Sequence, residues 1–143
     1  MGQPASRKEI GAFAYSIKSG KVFVVLITSR KGRWILPKGQ PERRLSDKKV
    51  ALLEAYEEAG VKGKIKKSIL RQDILLRRRH GDILLKIYPV KLKRLLGDWP
   101  ESRFRKRILI RADKAVHKVK NKALRNCIKV MSKRVKQAEN NLV

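Results

Sequence analysis

Three acidic side chains carry the strongest chemical signal in this chain. Glu54, Glu57 and Glu58 stand at helical spacing i, i+3 and i+4, which places them on one face of a helix turning about 100° per residue. The sequence has 38 Lys and Arg against 12 Asp and Glu, so a cluster of three carboxylates is unusual in it. Crowded carboxylates repel one another until some take up protons or a cation joins them. An all-oxygen donor set favours Mg²⁺, Mn²⁺ or Ca²⁺ over zinc. Such an ion suits phosphoanhydride cleavage: it neutralises the phosphate oxygens that repel a nucleophile and lowers the pKa of a bound water.

The flanking residues say how those carboxylates are positioned. An apolar, strand-like start at Trp34 to Leu36 breaks at Pro37 and Gly39, and a charged loop follows. A helix then begins at Ser46 or Asp47, either of which can cap it, and ends at Gly60. Leu52, Ala55 and Ala59 point away from the acidic face.

The spacing from Gly39 to Glu54-Ala55-Tyr56-Glu57-Glu58-Ala59-Gly60-Val61 resembles the Nudix box, G-x5-E-x7-R-E-U-x-E-E-x-G-U. The resemblance implies an α/β fold: a single-domain α/β/α sandwich with a mixed sheet. It implies Glu54 and Glu58 as principal Mg²⁺ ligands (Mn²⁺ as the substitute), Glu57 as a further ligand or the group that activates water, and the Gly39 carbonyl as a helper. Glu57 and Glu58 are thus the expected catalytic residues. The chain departs from the pattern at Leu45 and Leu53, where the family has a Glu and an Arg that pair. Losing both partners strands no charge, and a leucine–leucine contact can replace the pair at little net cost.

Within the family, residues 22 to 119 resemble the diphosphoinositol polyphosphate phosphohydrolase branch. The matches are Ser29 and Arg30 ahead of Arg33-Trp34, the run from Glu57 to Gly63, and Arg105-Lys106-Arg107. Basic residues so placed are expected to hold phosphates. With Lys38, and with Arg78 from the 77–79 arginine run, the expected substrate-binding set is Ser29, Arg30, Arg33, Lys38, Arg78, Arg105 and Arg107.

Composition bounds the rest. The 143 residues suffice for one domain with a real core, and 42% hydrophobic content suits a globular protein. A formal charge of +26 exceeds what solubility needs and attracts polyanions: phosphate-dense small molecules, nucleic acid or anionic membranes. The single cysteine, Cys127, excludes an internal disulfide framework and suits a reducing compartment. No membrane-length apolar run and no apolar signal core occur, so a cytoplasmic protein is expected. The start MGQPAS matches a loose myristoylation pattern with Gly2 as acceptor.

In chain order, residues 1–8 read as a flexible lead-in and 9–140 as the domain, C-terminal helix included. Ile10–Ile17 and 22–28 form a hairpin around Lys18-Ser19-Gly20-Lys21. The run from Val61 to Arg79 alternates apolar and basic residues like one half-exposed strand, with Ile65 and Ile69 on its inner side. A reversal at Arg77–Asp82 leads to a core strand over 83–92, with Pro89 at an edge or bulge. Residues 93–103 read as loop, and 104–110 as strand. From Ala112 the pattern is helical, with Ala123, Leu124, Cys127, Ile128, Met131 and Val135 as an apolar stripe facing the sheet. His80 and His117 lack partners at metal-ligand spacing, and Trp34 reads as core, whereas Trp99 could stack on a base.

The expected function is therefore Mg²⁺-dependent cleavage of a diphosphate linkage in a highly phosphorylated small molecule, such as a diphosphoinositol or dinucleoside polyphosphate. The competing reading is a nucleic-acid or ribosome-associated binding protein on a Nudix scaffold, supported by the basic stretch from Lys114 to Lys136.

Overall fold

Strands β1 (Arg7–Lys18) and β2 (Lys21–Thr28) form a hairpin whose turn uses Ser19 and Gly20 at positive φ. They belong to a computed structural model that describes residues 7–140; Gly2 and most of the lead-in lie outside it. The sheet starts at Arg7, two positions before the expected domain start.

The two strands pair only near their turn, from Tyr15↔Val24 to Lys18↔Lys21, and then diverge. The next segment fills the opening. Strand β3 (Trp34–Ile35) pairs with the end of β2, and β4 (Lys38–Gly39) pairs with Ile10 and Gly11 of β1. Between them the Pro37 carbonyl accepts from Ala12 N–H at 3.0 Å. The split thus holds Gly39 against the middle of the sheet.

Helix α1 (Asp47–Ala59) follows, capped by the Ser46 side chain, which accepts from Lys49 N–H, and closed by Gly60 at φ 62. Strands β5 (Val61–Ile65) and β6 (Gln72–Leu76) come next, both antiparallel to β7 (Ile83–Leu95). Strand β7 runs parallel to β1, and β8 (Arg107–Arg111) pairs antiparallel with β2, so the eight-stranded sheet is mixed. Two helices, α2 (Ala112–Lys118) and α3 (Lys122–Asn140), complete the chain.

Alternation along the strands divides the core between the two faces. Phe13, Tyr15, Val24, Leu26, Leu85 and Ile87 face α2 and α3, where the stripe from Leu124 to Val135 covers them. Ala12, Ala14, Val25, Ile27 and Val90 face α1. Small residues on both sides, Ala12 and Ala14 under Ala51, Ala55 and Ala59, let that helix approach closely. Each fully buried Leu, Ile or Phe contributes about 1.5–3 kcal/mol.

The structure corrects four sequence expectations. Residues 61–79 are two strands, broken at 66–71 by a turn in which Ile69 N–H donates to the Lys66 carbonyl. Ile65 and Ile69 consequently pack on opposite faces of the sheet. Pro89 lies inside a central strand, at the seam where β5 has ended and β6 has not begun; its carbonyl accepts from Lys66 N–H, so its missing donor costs no regular ladder bond. Strand β7 runs on to Leu95, while β8 starts only at Arg107 and leaves Phe104 exposed in the loop.

Candidate active site

The acidic face of α1 looks into the split between β1 and β2. Gly39 packs so tightly on Glu54 that a Cβ there would overlap its carboxyl group, which makes glycine a steric requirement of the site. Glu58 is 7% exposed, and its carboxylate is held from two sides. Its Oε1 accepts from Lys38 N–H at 2.9 Å, and its Oε2 accepts from Arg105 Nη2 at 3.1 Å. Burial pushes the carboxyls of Glu54 and Glu58 up to about 7, and at Glu54 the negative charges of Glu58, Glu57 and Glu101 add to it.

Oxygen donors, partial burial and mutual repulsion are the properties of a divalent-cation site, so the residues present fit Mg²⁺ or Mn²⁺. Among the described residues no three acidic, histidine or cysteine groups converge as a ready-made cage. The Glu58 carboxylate is engaged by Lys38 and Arg105 instead.

The loop between β7 and β8 supplies what the helix lacks. Alpha helix α1 ends without a basic residue in its last turn, yet its last carbonyls are all satisfied. Trp99 Nε1–H donates to Glu58 O at 2.9 Å, Arg107 Nη1 to Ala59 O at 3.0 Å and to Leu96 O at 2.7 Å, and Glu101 N–H to Glu57 O at 3.1 Å. The Arg107 guanidinium lies 4.1 Å from the Trp99 ring. Arg105 bridges Glu58, Glu101 Oε1 at 2.7 Å and Thr28 O at 2.8 Å.

This arrangement revises the expected phosphate-binding set. Arg107 Nη1 serves as a helix-end ligand, and Trp99 spends its indole N–H on the same helix end. Arg105 belongs to the carboxylate cluster. The other five residues, Ser29, Arg30, Arg33, Lys38 and Arg78, line one cleft of about 530 Å³, together with Lys31, Trp34, Lys120 and Asn121. Trp34 is half-buried: it packs against the core under α2 and α3, as expected, and also lines the cleft wall. Lys38 also pairs with Glu9 at 2.5 Å, and the Ser29 hydroxyl accepts from Arg33 N–H at 3.2 Å.

Sequence reasoning missed Glu101, Thr28 and Glu9. Glu101 is one of only 12 acids and lies shortly before Arg105-Lys106-Arg107, a scarcity that could have flagged it. Nothing in the sequence flagged Thr28, whose hydroxyl accepts from Lys106 N–H at 2.9 Å. Leu45 packs on the α1-side core, but Leu53 joins neither core cluster, so Leu45 finds its apolar partner in the core itself.

The sequence and the architecture are similar to those of known proteins. The chain is 31% identical over 117 residues to Nudix hydrolase 18, mitochondrial, of Arabidopsis thaliana, and 29% identical over 138 residues to Nudix hydrolase 21, chloroplastic, of the same plant. The chain belongs to the Nudix hydrolase family. It is an enzyme of the pyrophosphohydrolase class that this family defines. The alignments cover 76% and 93% of this chain and 66% and 70% of the relatives. No protein-family model matches it. Its fold is also that of an Ap4A hydrolase from C. elegans (TM-score 0.67, 15% identity, 95% of this chain and 98% of that one). The Nudix domain of Shewanella oneidensis NrtR, complexed with ADP ribose, matches with a TM-score of 0.67 at 14% identity over 97% and 90% of the two chains. No helix among the described residues is long and apolar enough to cross a membrane.

Proposed function

We propose that this Nudix hydrolase cleaves a diphosphate linkage in a small molecule carrying several phosphates, with Mg²⁺ held by Glu54, Glu57, Glu58 and the Gly39 carbonyl. The observation that carries this reading is the double position of Lys38. Its amide holds Glu58, and the same residue lines the cleft of Arg30, Arg33 and Arg78. A phosphate chain bound by the cleft cations therefore has one end beside the acidic cluster.

The bound ion would neutralise the phosphate oxygens and acidify a water molecule. Glu57 is the group assigned to take the proton from the attacking water; unlike Glu58, its carboxylate makes no side-chain hydrogen bond among the described residues. Water adds to phosphorus, the bridging P–O bond breaks, and two phosphate-bearing products leave. Arg30, Arg33 and Arg78 hold the non-reacting phosphates as charge-assisted donors.

Diphosphoinositol polyphosphates and dinucleoside polyphosphates are the substrates that best match this charge. The resemblance over residues 22 to 119 favours the first, and the fold likeness to an Ap4A hydrolase is compatible with the second. A cytoplasmic location remains part of the proposal, although the relatives' names are mitochondrial and chloroplastic.

The test is product release from a panel of both substrate classes, inorganic phosphate from diphosphoinositol polyphosphates and nucleotides from dinucleoside polyphosphates, with and without Mg²⁺, for the wild type and Glu58→Gln. The glutamine keeps an acceptor for Lys38 N–H, so the fold is expected to survive while the rate drops about 10²–10⁴-fold. Release that ignores both Mg²⁺ and the substitution sinks the proposal.

A further inference from the structure

Helix α3 presents a row of cations that neither the core nor the active site uses. Lys122, Arg125, Lys129, Lys133 and Lys136 are exposed and follow one another at steps of three or four residues. At about 100° per residue they fall within roughly 80° of arc, opposite the apolar stripe. At a rise of 1.5 Å per residue the steps are about 4.5 or 6 Å and the row runs about 21 Å.

The row also has no counter-charge on its own face of the helix. None of its members takes part in an ion pair among the described residues. The single acid of α3, Glu139, pairs with Lys91 at 3.3 Å, and the off-row Arg134 is tied to the carbonyls of Leu70 and Arg71. Like charges at i, i+4, as in Arg125–Lys129 and Lys129–Lys133, weaken a helix unless a counter-charge covers them. The row starts two residues beyond Lys120, which lines the substrate cleft. It ends at Lys133 and Lys136, on the wall of a second depression of about 230 Å³.

We propose that this row docks the phosphate backbone of a nucleic acid along α3. A ladder of flexible cations with no acid between them complements a linear run of phosphates. A membrane surface fits less well, because interfacial helices insert an apolar face and that of α3 is buried in the core. Every exposed side chain on α3 is polar: the five cations, Asn126, Gln137 and Asn140.

The test uses the full chain and a fluorescein-labelled single-stranded oligonucleotide, titrated between about 50 and 200 mM salt. Five phosphate contacts give a slope of log Kobs on log salt of about −3.5. The double substitution Lys129→Ala with Lys133→Ala, helix-compatible and exposed, is expected to reduce that slope by about 1.4 and to weaken binding at low salt. The comparison variant, Lys48→Ala with Lys49→Ala, removes the same charge from exposed positions of α1 on the other side of the sheet and is expected to leave the slope in place. Equal losses in the two variants, absence of wild-type binding, or α3-dependent binding to anionic vesicles but not to the oligonucleotide would each overturn the proposal. Mg²⁺-dependent phosphate release should be the same in the α3 variant as in the wild type, so failure here and failure of the hydrolase reading are separate results.

Discussion

The backbone N–H of Lys38 donates to Glu58 Oε1 at 2.9 Å, tying the residue before Gly39 to the penultimate residue of α1 across twenty positions of sequence. The bond fixes one carboxylate oxygen through the main chain, so the site depends on how β4 sits in the split sheet as well as on the glutamates. Gly39, next to that bond, leaves room for Glu54.

Gly39→Ala is therefore expected to act on the metal site more than on the fold. The added methyl group would displace the Glu54 carboxyl, the end of a flexible side chain, instead of the backbone. Mg²⁺ affinity should fall about 10- to 100-fold, as for other changes that disturb ligand orientation. Mg²⁺ titration by calorimetry measures the loss, and a melting temperature near that of the wild type shows that the sheet is intact. Unchanged affinity would remove Glu54 from the ligand set.

Acidity should control the metal-free protein in a defined direction. Glu54 and Glu58 are raised from 4.5 to about 7 in the folded state, chiefly by burial. Between those values the folded chain keeps protons that the unfolded chain releases, so these two groups lower stability as pH rises from about 4.5 through 7. Mg²⁺ needs the deprotonated carboxylates and should raise the melting temperature more at about pH 8 than at about pH 5.5. Thermal unfolding with and without Mg²⁺ measures this, and Glu54→Gln should diminish the difference. An Mg²⁺ effect independent of pH would contradict the assignment.

Arg107 and Arg78 should separate stability from substrate binding. Arg107→Met removes the donors to Ala59 O and Leu96 O and is expected to cost about 1.5–3 kcal/mol in urea unfolding while KM stays unchanged. Arg78→Ala, at an exposed cleft residue, should raise KM roughly tenfold or more without moving the urea midpoint. The opposite pattern would return Arg107 to the phosphate-binding set.

Phosphate number should matter at the cleft. With Arg33→Ala, the rise in KM is expected to be larger for substrates bearing more phosphates, because each lost donor is a charge-assisted contact. A uniform rise across the panel would place Arg33 outside substrate contact.

Much of this was legible in the sequence where the signals were local. Ser46 and Gly60 bound α1 because capping is written in neighbouring residues, and the stripe from Leu124 to Val135 announced the face of α3. The break between β5 and β6 was hidden because residues 66–71 contain neither Gly nor Pro to mark a turn. Pro89 was misread because its place depends on where two other strands stop. Arg107 illustrates the general limit: its spacing looked like a phosphate ligand, but the oxygens it binds belong to residues brought near only by folding.

The closure of α1 by the loop between β7 and β8 also bears on the order in which the protein matures during synthesis. The helix is encoded by residues 47–59, yet its terminal carbonyls and one of its carboxylates are engaged by Trp99, Arg105 and Arg107. A nascent chain that has emerged only as far as β7 already contains every glutamate of the box and still lacks Arg105 for the Glu58 carboxylate and the donors that close the helix end. The Glu58 carboxylate and the end of α1 therefore reach their final contacts only after the loop between β7 and β8 has been made and has docked.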